Sequence, residues 1–532
     1  YQLSYSYLEG LGMNVLGLST GKIRIYGNGG GMLPYSNAEH RHDDLIENAI
    51  SIVDLNNNGV FEDGDYALFY GEGPDRWKYE ESSGRFTHQQ NLYSRRTCYF
   101  ITLDGGLGAA KRISGQPSAI NSNTTSNSFD DYAFHESDLY NLLISGREWY
   151  GEKFDIATSY SFGFSFPNII SQAYIKVAVL GRALAPSSGS FSVLANGSTL
   201  PLNLNTGSVS GNYLDTYGNP QSDNTEFSTG GTINITINYN KVNTSSVGWL
   251  NYIELNARRS LSFYGSQMQF RDALSVGTGN ITQFSLENTD NSTVIWETTN
   301  PTNIRSQDID LTISSANFIL ETDSIREFIA FNGSSFLTPA SEGLIANQDI
   351  HGAIGQPDLV IISPPVFMGE AGRLGAFREA NDGLDVAVVS TTAVYNEFSS
   401  GVQDITAIKD LMRMLYNRAN DSTEMPRYLL LFGDGSYDNL DRISDNTNYI
   451  PTYQSNNSHS PMFTYVSDDY FGLLDDIEGE GASEYLDIGV GRIPVQSVDA
   501  AKDIVDKLLH YSSPASFGNW RNTICFIADD ED

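Results

Sequence analysis

The chain has 532 residues, of which 40% are hydrophobic and 12% aromatic, enough for roughly three or four domains with packed cores. Its 65 Asp and Glu against 31 Lys and Arg give a net charge of −34 and a pI near 4.4, which excludes the basic stripe that nucleic-acid binding requires. No apolar run reaches the roughly 18 residues of a membrane-spanning helix.

Residues 1–13 carry no signal-peptide pattern and open in mid-pattern, so a mature or trimmed piece is expected. The acidic, Asn/Ser/Thr/Gly-rich composition suits a secreted or cell-surface bacterial protein, or one that collects divalent cations; plain solubility explains most of the charge equally well. The two cysteines, Cys98 and Cys525, sit in strand-like apolar runs and read as small core residues rather than nucleophiles.

Residues 1–115 read as a compact α+β domain. YSYLEGLG (5–12) predicts a short helix stopped by glycine, and KIRIY (22–26) predicts a strand. The glycine cluster at 27–31 lacks the Gly-Lys-Ser/Thr of a phosphate loop and reads as tight turns. DLNNNGVFEDGD (54–65) matches a calcium-loop template. Asp54, Asn56 and Asn58 stand at positions 1, 3 and 5, and Gly59 makes the sharp turn. The Val60 carbonyl is the position-7 ligand, and Asp65 closes the ring at position 12. Hard cations want such a ring of oxygens. The apolar flanks, AISIV and YALFYG, predict strands rather than the helices of an EF-hand. A Gly/Asn turn between two strands is the alternative reading.

Residues 116–149 begin with a polar stretch, NSNTTSNS, and read as a linker. From 150 to 350 short alternating runs (AYIKVAVLG, SFSVLANG, INITINYN, IDLTISS, REFIAFNG) separated by Gly, Asn and Ser predict one or two β-sandwiches. No constellation there carries chemistry.

From 351 to 532 the period changes to alternating strand and helix. Strands are predicted at 359–363, 384–390, 428–432, 486–490 and 523–528. Helices are predicted at 369–381, after an Asp404 cap, and after a Ser497 cap. This alternation predicts a mostly parallel sheet covered by helices. The run ADDED (528–532) follows directly on a predicted strand, so the domain is expected to be incomplete at its C-terminus.

The third strand leads into GDGSYDN (433–439). Ligands in open α/β sheets sit beyond the carboxyl ends of strands, which makes Asp434, Asp438, Asp468, Asp469, Asp529 and Asp530 candidates for a metal or carboxylate site. No histidine stands at ligand spacing from them, and no Gly-x-Ser-x-Gly elbow is present. Solvated or structurally bound acidic loops are the simpler reading.

The blocks YLLLFGDGSYDN (428–439), IPTY (450–453), SDDYFG (467–472), DIGVGRIPV (487–495) and WRNTICFIADDED (520–532) resemble the gingipain-type cysteine peptidases. IRIYGNGGGMLP (23–34), SGREWYGE (145–152) and VYNEFSSGVQDITAIKD (394–410) narrow the resemblance to the cell-surface sortases of the type IX secretion system of Bacteroidetes.

The resemblance implies a caspase-like fold for 351–532 and a cysteine nucleophile with a histidine partner. It further implies cleavage of the C-terminal signal of secreted cargo, with transfer of the cargo to anionic lipopolysaccharide. The outer-membrane shuttle barrel PorV, together with PorQ and PorZ, are the implied partners, at the extracellular face of the outer membrane. The family's Gly-His-Gly loop and its cysteine come after the block matched at 528–532. No catalytic residue is therefore assigned in this chain, and the chain alone is expected to be inactive. In arginine-specific members, the aspartate of the SD-x-x-x-G block faces the substrate's P1 side chain; that position is Asp468, equally readable as a loop aspartate or metal ligand. A secreted endopeptidase and a non-enzymatic surface scaffold remain the alternatives.

Overall fold

The computed structural model describes residues 1–103, 108–482 and 484–527. They form two compact units. One holds Tyr1–Met32, Asp44–Asn347 and Gln454–Val466; the other holds Leu33–Asp43, residues 348–453 and residues from 467 onward. The second unit is thus built from more than the 351–532 stretch expected. Among the described residues no helix is long and apolar enough to cross a membrane.

In the first unit Gln2–Ser4, Tyr66–Leu68 and Ser51–Val53 pair antiparallel. The helix Tyr5–Gly10 starts where the Ser4 side chain accepts the Tyr7 N–H. Leu3, Leu8, Ile25, Phe61 and Phe69 close its core. The calcium-type loop therefore does lie between strands, Ser51–Val53 and Tyr66–Leu68.

Two sandwiches follow. In the first, Thr232–Asn240 turns Ile233, Ile235 and Ile237 inward at every second residue. They meet Ile175, Val177 and Val179 of Ile169–Arg182 on the facing sheet. In the second, Phe270 stacks on Phe328 and Phe284 on Phe318, each pair at 5.0 Å, in a core shared by two further sheets. The stretch 116–149 is more than a linker. Its Thr124–Ser126 pairs with Ile281–Glu287, and Ser128–Glu136 pairs with Val247–Ser260. Threonine-rich polar residues serve as strand here because partner backbones satisfy their N–H and C=O groups.

A hairpin, Arg76–Glu80 with Arg85–Gln89, lies on the first sandwich. Trp77 stacks on Tyr132 at 4.0 Å, and the Asn256 amide exchanges two hydrogen bonds with the Phe86 backbone. His88, 4% exposed, lies between Glu136 (Nε2, 2.7 Å) and Glu254 (Nδ1, 2.8 Å). Burial pulls its pKa down, but the hydrogen bonds and charges of the two carboxylates outweigh that and push it up to about 9. Burial also raises Glu136, which opposes the pairing. Two carboxylates facing one imidazole leave His88 as the proton carrier at neutral pH.

In the second unit we label β1 (Leu359–Ser363), α1 (Met368–Asp382), β2 (Val386–Ser390), α2 (Thr391–Phe398), α3 (Ile405–Arg418), β3 (Tyr428–Phe432), β4 (Gly489–Ile493) and α4 (Val498–Ser512). The four strands are parallel, in the order β2-β1-β3-β4. All five β1 residues are buried, as the uninterrupted run LVIIS requires. Helix α1 ends on Gly383 at φ 67°, a left-handed cap. Asp404 caps α3 through the Thr406 N–H, and Ser497 caps α4 through the Ala500 N–H.

Two strand expectations shift. The fourth strand is 489–493 rather than 486–490, because β3 pairs Tyr428 with Gly489 and Phe432 with Ile493. Residues 523–527 of the expected fifth strand are not a strand; Ile524, Phe526 and Ile527 are exposed, and no described strand lies beside them to accept their backbone. Ala528 lies outside the described residues.

Residues Leu33–Asp43, more than 360 positions before α3, are sewn onto the second unit. The Leu33 N–H donates to Asp404 (2.8 Å), the Lys409 ammonium to the Tyr35 carbonyl (2.6 Å), Arg41 to Asp410 (2.9 Å), and Asn37 to the carbonyls of Leu473 and Asp475. Burial raises Asp404 to about 7 and lowers Lys409 to about 7.

His88→Gln should cost the first unit about 3 kcal/mol at pH 7, because it leaves two shielded carboxylates facing each other. His88 is raised above its unfolded value, so its contribution is complete below pH 6.5 and is lost as pH rises through about 9. Urea unfolding at pH 7 and pH 10 should therefore show a difference between wild type and variant that is large at the first pH and small at the second. Equal differences at both would contradict the assignment.

Candidate functional site

The order β2-β1-β3-β4 reverses direction between β1 and β3. At such a switch point the loops leaving neighbouring strands part and open a crevice at their carboxyl ends. Here the chain leaves β1 through Ser363–Pro364 and β3 through Gly433–Asp434. Backbones approach closely there. A Cβ on Gly433 would lie 3.2 Å from the Tyr449 Cβ and 3.3 Å from the Pro364 Cδ; one on Gly435 would lie 2.7 Å from the Thr452 Cγ2. Only glycine fits Gly435 without displacing its neighbours.

The aspartates of this edge are engaged. Asp434 Oδ2 accepts from the Thr447 hydroxyl and the Gln496 amide, both at 2.7 Å. Its carbonyl takes the N–H groups of Tyr449 and Ile450. Asp438 is fully buried and faces the Arg442 guanidinium at 3.0 Å. It also accepts the backbone N–H groups of Leu440, Arg442 and Ile443. Both are braces of the loop rather than free acids. Asp469 is exposed. Asp529 and Asp530 lie outside the described residues.

Asp468, the expected substrate-side carboxylate, receives both oxygens' partners from inside the protein. Arg492 Nε donates to Oδ2 and Nη2 to Oδ1, each at 2.7 Å. The same guanidinium reaches the carbonyls of Gly433 (3.0 Å), Ile450 (2.9 Å) and Pro451 (3.5 Å). Arg492 is the residue that sequence reasoning passed over. One signal was available: Arg442 and Arg492 are the only Lys or Arg between 433 and 496, a stretch dense in carboxylates. Such cations are claimed by buried aspartates.

The loop 54–65 closes through its own side chains. Asp54 Oδ2 accepts the Gly59 N–H (2.8 Å) and Oδ1 the Asn58 N–H (3.3 Å); Asn56 Oδ1 accepts the Asn58 N–H and Asn58 Oδ1 the Val60 N–H. Asp65, nearly buried, takes the N–H groups of Leu55 and Glu62, one on each oxygen. Asn57 at φ 56° and Gly59 at φ 78° make the turn. Val60 also belongs to a short strand paired with Ser19. Each oxygen that accepts one N–H keeps a second lone pair, so the donor set suits a hard cation. Glu62, at position 9, adds a carboxylate that now accepts from the amides of Asn56 and Asn58. In this conformation the carboxylates of Asp54, Glu62 and Asp65 are not drawn within 4.8 Å of one another.

Neither cysteine is set up as a nucleophile. Cys98 is half-buried and burial raises its thiol pKa, while Cys525 is exposed; neither is in a disulfide. His459 stands 3.8 Å from Glu148 in the first unit, and His510 occupies the last turn of α4, where a helix favours a cation.

Residues 353–532 match the model of peptidase family C25. No curated protein matches the chain. The crystal structure of dimeric latent PorU from Porphyromonas gingivalis is similar with a TM-score of 0.84 and 26% identity, over 98% of this chain and 49% of that one. The chain thus spans about half the length of that PorU. A carbohydrate-binding module, CBM36 in complex with calcium and xylotriose, is alike over 23% of this chain and 98% of its own, at 14% identity and a TM-score of 0.16. The C-terminal CBM6 of LamC from Zobellia galactanivorans is alike over 24% and 98%, at 16% and 0.15. Both likenesses are too slight to bear on function. With a parallel sheet whose carboxyl edge is braced as described, residues 353–532 match peptidase family C25, and the chain is PorU-like over nearly its whole length.

Proposed function

We propose that this chain is part of a cell-surface sortase of the type IX secretion system. The observation that carries the reading is the likeness to PorU over 98% of the chain, spanning the first unit as well as the peptidase-family stretch. A plain peptidase would need only the latter.

In the reaction a cysteine thiolate attacks the carbonyl before the cargo's C-terminal signal. A C–S bond forms, the peptide C–N bond breaks, and a histidine gives its proton to the departing amine. An amine of anionic lipopolysaccharide then attacks the thioester, a new amide forms, and the thiol returns. No residue of this chain is assigned as nucleophile or base. What this chain supplies is the carboxyl edge of β1 and β3 and the braced loops around it. PorV, PorQ and PorZ are the proposed partners at the outer face of the outer membrane, and the secreted cargo and the lipopolysaccharide are the two substrates.

Deleting the gene in its host should leave cargo with its signal uncut and without a sugar-linked C-terminus. Cargo cut normally but ending in a free carboxylate would instead identify a hydrolase. With a peptide electrophile, full-length protein should form a covalent adduct and residues 1–532 alone should not; labelling of Cys525 would overturn the assignment.

We also propose calcium for the loop 54–65, with Asp54, Asn56, Asn58, Asp65 and the Val60 carbonyl as ligands and a structural role. Calcium at about 100 times its dissociation constant would stabilise the first unit by about 2.7 kcal/mol. The upward shift in unfolding temperature on adding calcium should vanish in Asp54→Asn and Asp65→Asn. A shift that survives both substitutions would place the ion elsewhere.

A further inference from the structure

We infer that the first unit carries a binding site for a neutral saccharide, in a cavity of about 390 Å³ lined only by residues that precede the peptidase-family stretch. The inference goes beyond the sortase reading and does not depend on it.

Strand alternation builds the cavity. In Gln267–Arg271, Met268 and Phe270 face the core of the second sandwich, so Gln267, Gln269 and Arg271 stand on the outer face of its five-stranded sheet. On the neighbouring strand Glu327–Phe331, Phe328 and Ala330 face the same core, and Ile329 and Phe331 face outward. Phe331, Trp296 and Leu68 of the N-terminal sheet form a second, smaller core, with Tyr70 and Phe336 packed against it. The cavity opens at the rim of that core. Tyr70 and Gly71, the outward row of Gln267–Arg271, and Asp131 and Tyr132 of the first sandwich line one space there. Small-ligand sites favour such junctions, and the volume falls in their usual range of about 300 to 1,000 Å³.

The lining offers hydrogen-bonding capacity without unpaired charge. Arg271, whose side chain is 3% exposed, gives Nε to Glu327 at 2.6 Å and Nη1 to the Asp130 carbonyl at 3.4 Å; its Nη2 has no acceptor among the described residues. Asp131 is paired with Arg259 at 2.5 Å. Each charge has its counter-ion, so a charged ligand would bring an ion without one into shielded surroundings.

The groups left over are of both kinds. The Tyr264 hydroxyl accepts from Arg259 at 3.2 Å and keeps its own proton to donate. Burial raises the Tyr70 pKa, so that side chain stays a neutral phenol. The Gln269 amide nitrogen donates to Tyr70 at 2.9 Å and that of Gln267 to the Ser335 carbonyl at 3.1 Å, which leaves both side-chain carbonyls as acceptors. Interleaved donors and acceptors suit hydroxyl groups, which do both at once. Aromatic rings supply the rest. Tyr264 has Arg259 over one face at 4.4 Å and stays 41% exposed, and the rings of Tyr70 and Phe336 are half-buried. A pyranose presents an apolar face of C–H groups to the negative π-face of such rings, and a rim of hydroxyls to the amides. A phenylalanine side chain would fill the same space but leave the two amide carbonyls unmatched.

The test titrates full-length protein with the methyl glycosides of glucose, mannose and galactose, followed by ligand-observed NMR. At least one should bind saturably. The uronic acid and the 2-amino form of the sugar that binds best should each bind about tenfold more weakly or worse. Gln269→Ala and Tyr264→Ala, both at exposed positions, should each weaken binding about three- to tenfold while thermal unfolding stays as in the wild type.

No saturable binding of any of the three glycosides would overturn the inference. So would wild-type affinity in both variants, or a charged form that binds as well as its parent sugar. N-acetyltyrosinamide binding in preference to every glycoside would overturn it in favour of a peptide site. The comparison of neutral and charged sugars is read on the wild type, so an unstable variant does not shield the proposal.

Discussion

A guanidinium taken out of water has to find oxygen for every one of its hydrogens, and the carboxyl edge of the parallel sheet is arranged around that demand. Arg492 leaves β4 next to β3 and gathers the Asp468 carboxylate and three backbone carbonyls from three separate segments. Pairing one cation with one anion answers the electrostatics, and the carbonyls answer the remaining donors. A pair satisfied in this way is costly to disturb, because each lost contact leaves a shielded polar group without a partner. The close backbone approaches at Gly433 and Gly435 are the steric side of the same arrangement: loops pulled together by one side chain have no room for a Cβ between them.

The same logic recurs elsewhere in the molecule. Asp438 holds the loop after β3 through Arg442 and three amides, Asp404 holds both the start of α3 and Leu33, and His88 holds a hairpin through two glutamates. In a chain with a net charge of −34, the shielded carboxylates of Asp438 and Asp468 each have a guanidinium of their own, and Glu136 and Glu254 share His88. The β-rich first unit buries its apolar residues at every second position in two sandwiches and uses the same device beside them: the nearly buried guanidiniums of Arg259 and Arg271 face Asp131 and Glu327.

Much of the second unit was legible. LVIIS and YLLLF are short, continuous and apolar, and a strand covered on both faces has no other appearance. Asp404 and Ser497 announce their helices because an N-cap is a local event. What was not legible is what depends on partners. TICFI has the composition of a strand, yet a strand exists only where a neighbour accepts its backbone, and among the described residues none stands beside 523–527. Thr124–Ser126 errs the other way, polar in sequence and paired in the fold. The attachment of Leu33–Asp43 to α3 spans more than 360 residues and leaves no periodic trace. At the candidate site the position of the edge could be read from the strand pattern and the glycines. The roles of its aspartates could not, because they are set by Arg492, and most of the acceptors of Arg492 are backbone carbonyls that no residue type reveals.

The central claim is that substrate meets this chain at the carboxyl edge of β1, β3 and β4. Hydrogen–deuterium exchange of full-length protein, with and without a saturating peptide of the cargo C-terminal signal, tests it most directly. Slowed exchange at 433–436, 449–453 and 467–472 is the predicted result. Protection confined to the sandwich strands of the first unit, with that edge unchanged, would contradict it.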